Sequence, residues 1–230
     1  MTHISLRWET QEIKNEVLLL SSMVEEAIMD SVQALKNNDL NRSAWVFQND
    51  LNINRKRFEI EILIIVLMAT HQPIARELRT LVASLAICSE LERMGDYAKG
   101  IANIHLRAKG FSLPVILKDI YSMAEKAVDM LHRAMTTFAE EDIQTATAII
   151  REDAVIDECY NKLYAEAVKH VLGDPRNIER VNYVIWTAHN LERLGDRVTN
   201  ICERVIYIVT GELLEESPQP TGLGLSSTEI

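Results

Sequence analysis

Apolar and small residues recur along the first forty positions at alternating steps of four and three: Ile13, Val17, Leu20, Val24, Ala27 with Ile28, Ser31 and Leu35. That spacing puts one buried stripe along a helix, and Thr10 is a side chain suited to capping its start. The first helix is expected to end near Asn37. Asp39 then suits the N-cap of a second, whose stripe reads Leu40, Ala44, Phe47, Leu51, Asn54, Phe58, Ile62, Ile65 and Ala69 and which must stop before Pro73. A third helix is predicted from near Pro73 or Arg76 through Leu78, Leu81, Leu85 and Cys88 to Gly110, with Pro114 beyond the break.

After Pro114 the pattern begins again. Val17, Leu20, Val24, Ala27, Ile28, Ser31, Leu35 and Asp39 match Ile120, Met123, Ala127, Met130, Leu131, Ala134, Phe138 and Asp142 at a constant offset of 103. The same offset carries Asp50 onto Asp153 and Asn54 onto Asp157. Further on, Leu91-Glu92-Arg93-Met94-Gly95-Asp96 returns as Leu191-Glu192-Arg193-Leu194-Gly195-Asp196, now at an offset of 100. A connection three residues shorter around Gly173-Asp174-Pro175 than around His71-Gln72-Pro73 absorbs the difference. A repeated three-helix unit explains this alignment better than one irregular bundle. The chain is therefore expected to be all-α, six long helices in two tandem three-helix bundles, residues 10–110 and 114–211. From 212 to 230 the composition turns to Glu, Ser, Pro, Gly and Thr, which reads as a disordered tail.

Composition narrows the function. A net charge of −10 argues against nucleic acid, which needs concentrated Lys and Arg. Cys88, Cys159 and Cys202 are odd in number and form no Cys-x-x-Cys pair, so they read as reduced and buried, as in the cytoplasm. The N-terminal residues offer no signal-peptide apolar run. The longest apolar stretch, Ile62 to Ala69, falls far short of the roughly 20 residues of a membrane span.

The chemical signal lies in where the acids fall. Glu92 and Asp96 stand four apart, so in a helix both leave one face, and Glu192 with Asp196 do the same. The third helix's stripe runs through Leu81, Leu85 and Cys88 into Glu92 and Gly95-Asp96, and the sixth repeats it, so acids are expected in core-facing places. Asp50 with Asn54 and Asp153 with Asp157 form a second comb on each neighbouring helix. Asn103, Asn200 and Glu203 follow on or near the same face. A glycine before each motif Asp disfavours a mid-helix site by about 1 kcal/mol relative to Ala, which suggests close approach of a backbone or a ligand.

Carboxylates gathered inward cannot all stay ionised without positive company. A metal cluster with Asp, Glu and Asn oxygens would supply it, and such donors favour hard cations: iron, Mn, Mg or Ca, with Zn as a further candidate. The competing reading is a salt-bridge network through Arg93, Arg193, Arg197 and Arg57, or a solvated polar face. Duplication of the comb in register favours metal. His189 is a weaker candidate, since its counterpart is Ser89. Glu166 and His170 have no second copy. No phosphate loop, nucleophile elbow, His-Glu-x-x-His or Glu-x-x-His metal motif is present, so no catalytic residues are assigned.

Two three-helix units, each with Glu-Arg-[Met/Leu]-Gly-Asp on the last helix and an acidic pair on the middle one, resemble the PhoU family of bacterial phosphate-signalling proteins. The resemblance covers Thr10 to Gly211. It implies spectrin-like helix packing and a multinuclear metal cluster on each repeat, held by Glu92 with Asp96, Glu192 with Asp196, and Asp153 with Asp157. Asp50 with Asn54 departs from the family's pattern because its second member is not an acid. It implies further a non-enzymatic negative regulator of phosphate uptake and starvation signalling. Such proteins link the phosphate ABC importer's ATPase to a sensor histidine kinase, repress the response when phosphate is plentiful, form homodimers, and reside in the cytoplasm, meeting the membrane only through partners. A carboxylate-cluster metalloenzyme and a metal-free helical scaffold are the alternatives.

Overall fold

The computed structural model describes residues 3–109 and 114–213, apart from the side chains of 3–5 and 114–117. Six helices follow in order: α1 (His3–Asn37), α2 (Leu40–His71), α3 (Ala75–Arg107), α4 (Pro114–Glu140), α5 (Ile143–Gly173) and α6 (Ile178–Thr210). A 3-10 turn, Pro175–Asn177, joins α5 to α6, and no strand occurs among the described residues.

Local chemistry sets the breaks. Asp39 accepts from the Arg42 amide at the start of α2, and Asp142 accepts from the Gln144 and Thr145 amides at the start of α5, as the offset of 103 requires. Gln72, at positive φ, ends α2 ahead of Pro73, and Gly211 in the left-handed region ends α6. Two boundaries differ from expectation. α1 starts at His3, so Thr10 is a buried interior residue rather than a cap, and α3 ends at Arg107, with Gly110 outside the described residues. The residues beyond 213, most of the expected tail, also lie outside them.

The repeats are bundles α1–α3 and α4–α6, and they are not separate bodies. α3 lies along α6, and α1 along α4, so buried residues of all six helices form one continuous hydrophobic cluster. The α1 stripe is wholly buried, as its periodicity predicts.

The α2 stripe is reversed. Its core face is Val46, Ile53, Ile60, Ile64 and Leu67, whereas Leu40, Phe47, Leu51, Phe58, Ile62 and Ile65 are exposed. Both faces of α2 are apolar, so periodicity alone cannot choose between them. The correct phase puts Asp50, not Asn54, in the core, with only 2% of the Asp50 side chain exposed. Cys88 and Cys202 are buried as expected, while Cys159 is half-buried and its Sγ takes a contact from Lys126 Nζ at 3.2 Å.

Candidate functional site

Each acidic comb sits where the last helix of a repeat crosses its middle helix. The crossing is close because of the motif glycine. A Cβ on Gly95 would lie 3.1 Å from Ile53 Cγ2, and one on Gly195 would lie 2.4 Å from Asp153 Oδ1. What approaches each glycine is not a backbone but a side chain of the neighbouring helix. In the second repeat that side chain is a carboxylate, pressed against the α6 backbone where any larger residue would displace it.

Both sets of acids come together across their helix pairs. Glu92 is held above the ordinary carboxylate range first by burial, then by the charge of Asp96, with Asp50 adding to it. Asp96 is raised by burial and then by Asp50. Asp153 is pushed up to about 6, first by burial and then by Asp157, Asp196 and Glu192. Glu192 and Asp196 are themselves raised, chiefly by burial, with Asp196 next for Glu192 and Arg197 opposing for Asp196. The acids are less inward than expected. Only Asp50 is fully buried; Glu92, Asp153, Glu192 and Asp196 are half-buried, and Asp96 and Asp157 reach the surface. The reason lies in helix phase, because Leu91, Met94, Gly95 and Ala98 take the core-facing places on α3 and leave Glu92 and Asp96 on the flank.

The two sites answer the charge problem differently. In the first, Lys99 Nζ donates to Asp50 Oδ2 at 2.7 Å and stands 3.8 Å from Asp96 Oδ1, while Asn54 Nδ2 donates to Asp50 Oδ2 at 3.1 Å. The position equivalent to Lys99 in the second repeat is Thr199, whose hydroxyl donates to the Asp196 carbonyl. The residue answering to Asn54 there is Asp157, so this site has one acid more and one lysine less. There the largely exposed His189 brings Nδ1 to 3.2 Å from Glu192 Oε2. Even so, Asp153 Oδ1 and Asp50 Oδ1 are buried oxygens without a hydrogen-bond partner, and Glu192 Oε2 has only the His189 contact. Orphaned buried oxygens are rare, and one at the equivalent place in each site fits a cation or its equivalent.

The arginines proposed as counter-ions make their close contacts with other groups and act on the combs through space, Arg57 and Arg93 opposing the rise of Glu92 and Arg197 and Arg193 that of Asp196. Arg197 reaches across the repeats to Glu90 at 3.2 Å, Arg93 lies 3.5 Å from the same carboxylate, Arg57 pairs with Glu61 at 3.4 Å, and Arg193 covers the Tyr97 ring at 5.0 Å. Asn200 also donates to Glu90, at 3.4 Å, rather than facing the comb. Asn103 and Glu203 are half-buried, two turns past Asp96 and Asp196 respectively. As the side chains stand, no three of the described His, Cys, Asp and Glu residues converge closely enough to grip an ion. The donor set, the orphaned oxygens and the glycine cradle fit a hard cation; the rotamers would have to gather around it.

Lys99 and Glu90 are the residues that sequence reasoning missed. Lys99 carried a signal, since it stands one turn past Asp96 where the other repeat has Thr199. Glu90 carried none, because two of its partners, Arg197 and Asn200, lie on the other repeat.

A family model described as PhoU domain matches the chain twice, over residues 17–104 and 120–205. A PhoU homolog of Clostridium acetobutylicum, described as a phosphate-specific transport system accessory protein, is 31% identical over 94% of this chain and 99% of its own length. The protein so described in Escherichia coli (strain K12) is 31% identical over 91% of this chain and 88% of its own. Among solved structures, the phosphate transport system regulatory protein PhoU from Streptococcus pneumoniae superposes with a TM-score of 0.83 at 28% identity, covering 92% of this chain and all of its own. PhoU from Pseudomonas aeruginosa gives 0.82 at 30% identity, over 90% and 99%. With the repeated domain model, the length of the matches and the shared six-helix fold in agreement, this chain belongs to the PhoU family.

Proposed function

We propose that this protein is a non-catalytic, cation-dependent accessory of a phosphate importer that restrains phosphate uptake and the phosphate-starvation response. In this reading it links the importer's ATPase to a sensor histidine kinase from the cytoplasmic side, and holds the kinase in its repressing state when phosphate is plentiful. The names of the relatives support the accessory role: one is a phosphate-specific transport system accessory protein homolog, another a phosphate transport system regulatory protein. No helix among the described residues is long and apolar enough to cross a membrane, which agrees with contact through partners.

The observation that supports a bound cation most directly is Asp153. Its buried Oδ1 has no partner, three further carboxylates raise its proton affinity, and no lysine stands in the site. Asp153, Asp157, Glu192 and Asp196 would hold the cation of the second repeat. Asp50, Asn54, Glu92 and Asp96 would hold that of the first, where Lys99 already supplies one positive charge. A hard cation would neutralise these oxygens and tie the middle helix of each repeat to the last.

The regulatory reading is tested in a deletion strain grown in ample phosphate. The expected result is derepressed phosphatase reporter activity, restored to repression by the wild-type chain. Normal repression in the deletion strain would refute it.

A further inference from the structure

The outer face of α2 is apolar without need of the fold. Leu51, Phe58, Ile62 and Ile65 are 67%, 56%, 61% and 54% exposed, and they stand at steps of seven, four and three, along one side of the helix. α2 packs only on α1 and α3 among the described elements, so nothing in the chain covers this side. The internal repeat provides a control. At the offset of 103, Leu51, Phe58, Ile62 and Ile65 become Ala154, Asn161, Ala165 and Val168 on α5, the first three exposed and Val168 half-buried, with Val155 and Tyr164 as exposed apolar residues beside them. The same fold is thus built in the same molecule with smaller side chains at the equivalent places, and the large ones on α2 answer to something outside the bundle.

The charges beside the stripe indicate what that is. Arg55 and Glu59 flank it on the same side, one turn apart, both exposed, and neither has an ion-pair partner among the described residues. When a copy of α2 is laid antiparallel across a two-fold axis near Phe58, residues of the same flank meet. Each Arg55 then stands beside the partner's Glu59, twice over, with Phe58 against its own counterpart and Leu51 against the Ile62 and Ile65 end. We propose that two copies of this chain associate through this face, α2 against α2, in an isologous antiparallel pair. The proposal deepens the homodimer expected from family membership by assigning its surface. From Leu40 to Ile65 the face runs about 37 Å at 1.5 Å per residue. With its flanks and the neighbouring Leu63, Val66 and Trp8, that strip is of the order of the roughly 800 Å² per partner that a stable dimer buries. A lipid surface fits less well, because the polar flanks mix Arg55 and Arg57 with Glu59 and Glu61 instead of presenting a basic band.

The test is sedimentation equilibrium of the full chain, with circular dichroism as the check on folding. The wild type is expected to dimerise, and Phe58→Glu to raise the dissociation constant by about 30-fold or more. Arg55→Glu and Glu59→Arg are each expected to weaken the pair about tenfold, and the double reversal to bring it back within about threefold of wild type. These two positions are exposed, so they keep the test alive if Phe58→Glu fails to fold. A wild type that stays monomeric, a dimer indifferent to Phe58→Glu, or a double reversal that does not restore association would overturn the proposal. So would a monomer that binds phospholipid vesicles, or a purified importer ATPase, through the same residues. A monomer that still complements the deletion strain would remove this interface and leave the regulatory reading intact.

Discussion

Lys99→Met tests how the first repeat balances its charge. The substitution keeps the unbranched stem and helix propensity of Lys99 and removes only the ammonium group. What remains is the Asp50 carboxylate, 2% exposed, with one oxygen bonded to Asn54 and the other without a partner. Removing one member of a buried pair typically destabilises by 3–5 kcal/mol, roughly, through the uncompensated charge left behind. Lys99 is 32% exposed, so water and counter-ions recover part of this, and about 2 kcal/mol is the expected loss at pH 7 in chelator. For a chain of this size that is a fall in Tm of about 4–8 °C. Urea and thermal unfolding followed by circular dichroism measure it. Added Mn²⁺ or Mg²⁺ should then restore more stability to the variant than it adds to the wild type, because the vacated position now has four oxygen-bearing side chains and no ammonium. At a hundred times its dissociation constant such an ion contributes about 2.7 kcal/mol. A variant within about 0.5 kcal/mol of wild type in chelator, the usual range for an uninvolved surface change, would refute the reasoning. A loss that no cation reverses would show that the site cannot use one.

Two further substitutions separate the second repeat from the first. Gly195→Ala forces Asp153 Oδ1 off the α6 backbone, whereas Gly95→Ala meets Ile53 carbons at 3.1 and 3.2 Å and leaves Asp50 Oδ1 at an ordinary contact distance of 3.8 Å. Calorimetric titration should show the former weakening cation binding by about 10–100-fold, as loss of a supporting contact usually does, with stability in chelator within about 1 kcal/mol of wild type. Unchanged affinity would mean that the cradle is packing alone. Asp153→Asn should stabilise the chelated protein at pH 7 by about 1–2 kcal/mol, after discounting a half-exposed site. The sign follows from a folded pKa of about 6 set against the ordinary 3.8. A raised acid contributes stability below the ordinary value and loses it as pH rises through about 6. The wild type should therefore lose stability between pH 4 and 7 relative to the variant, and parallel pH profiles would contradict the raised value.

Much of this architecture is legible in the sequence because it is written twice. The offset of 103 predicts Asp142 as a helix cap from Asp39, and it transfers the buried stripe of α1 to α4 residue by residue. Redundancy failed on α2, where both faces are apolar: alternation at steps of three and four traces Phe47, Leu51 and Phe58 as readily as Val46, Ile53 and Ile60. The equivalent helix α5 held the correction, since Ala154 and Asn161 mark the outer face and Ile156 and Leu163 the inner. The acidic pairs were visible, as their four-residue spacing depends only on helix geometry. Their depth was not, because a turn of one position on α3 separates Gly95 in the core from Asp96 at 49% exposure. Lys99 escaped because reading for like residues in the two repeats passes over the place where they differ.

The most direct measurement is elemental analysis of protein purified without chelator from cells supplied with iron, manganese and magnesium. Wild type, Asp50→Asn and an Asp153→Asn, Asp157→Asn double variant are compared, each confirmed folded. The wild type should retain a hard cation, Asp50→Asn should keep that of the second repeat, and the double variant should lose it. Equal metal content in wild type and the double variant, or none in the wild type, would contradict the assignment of the Asp153 site to a cation.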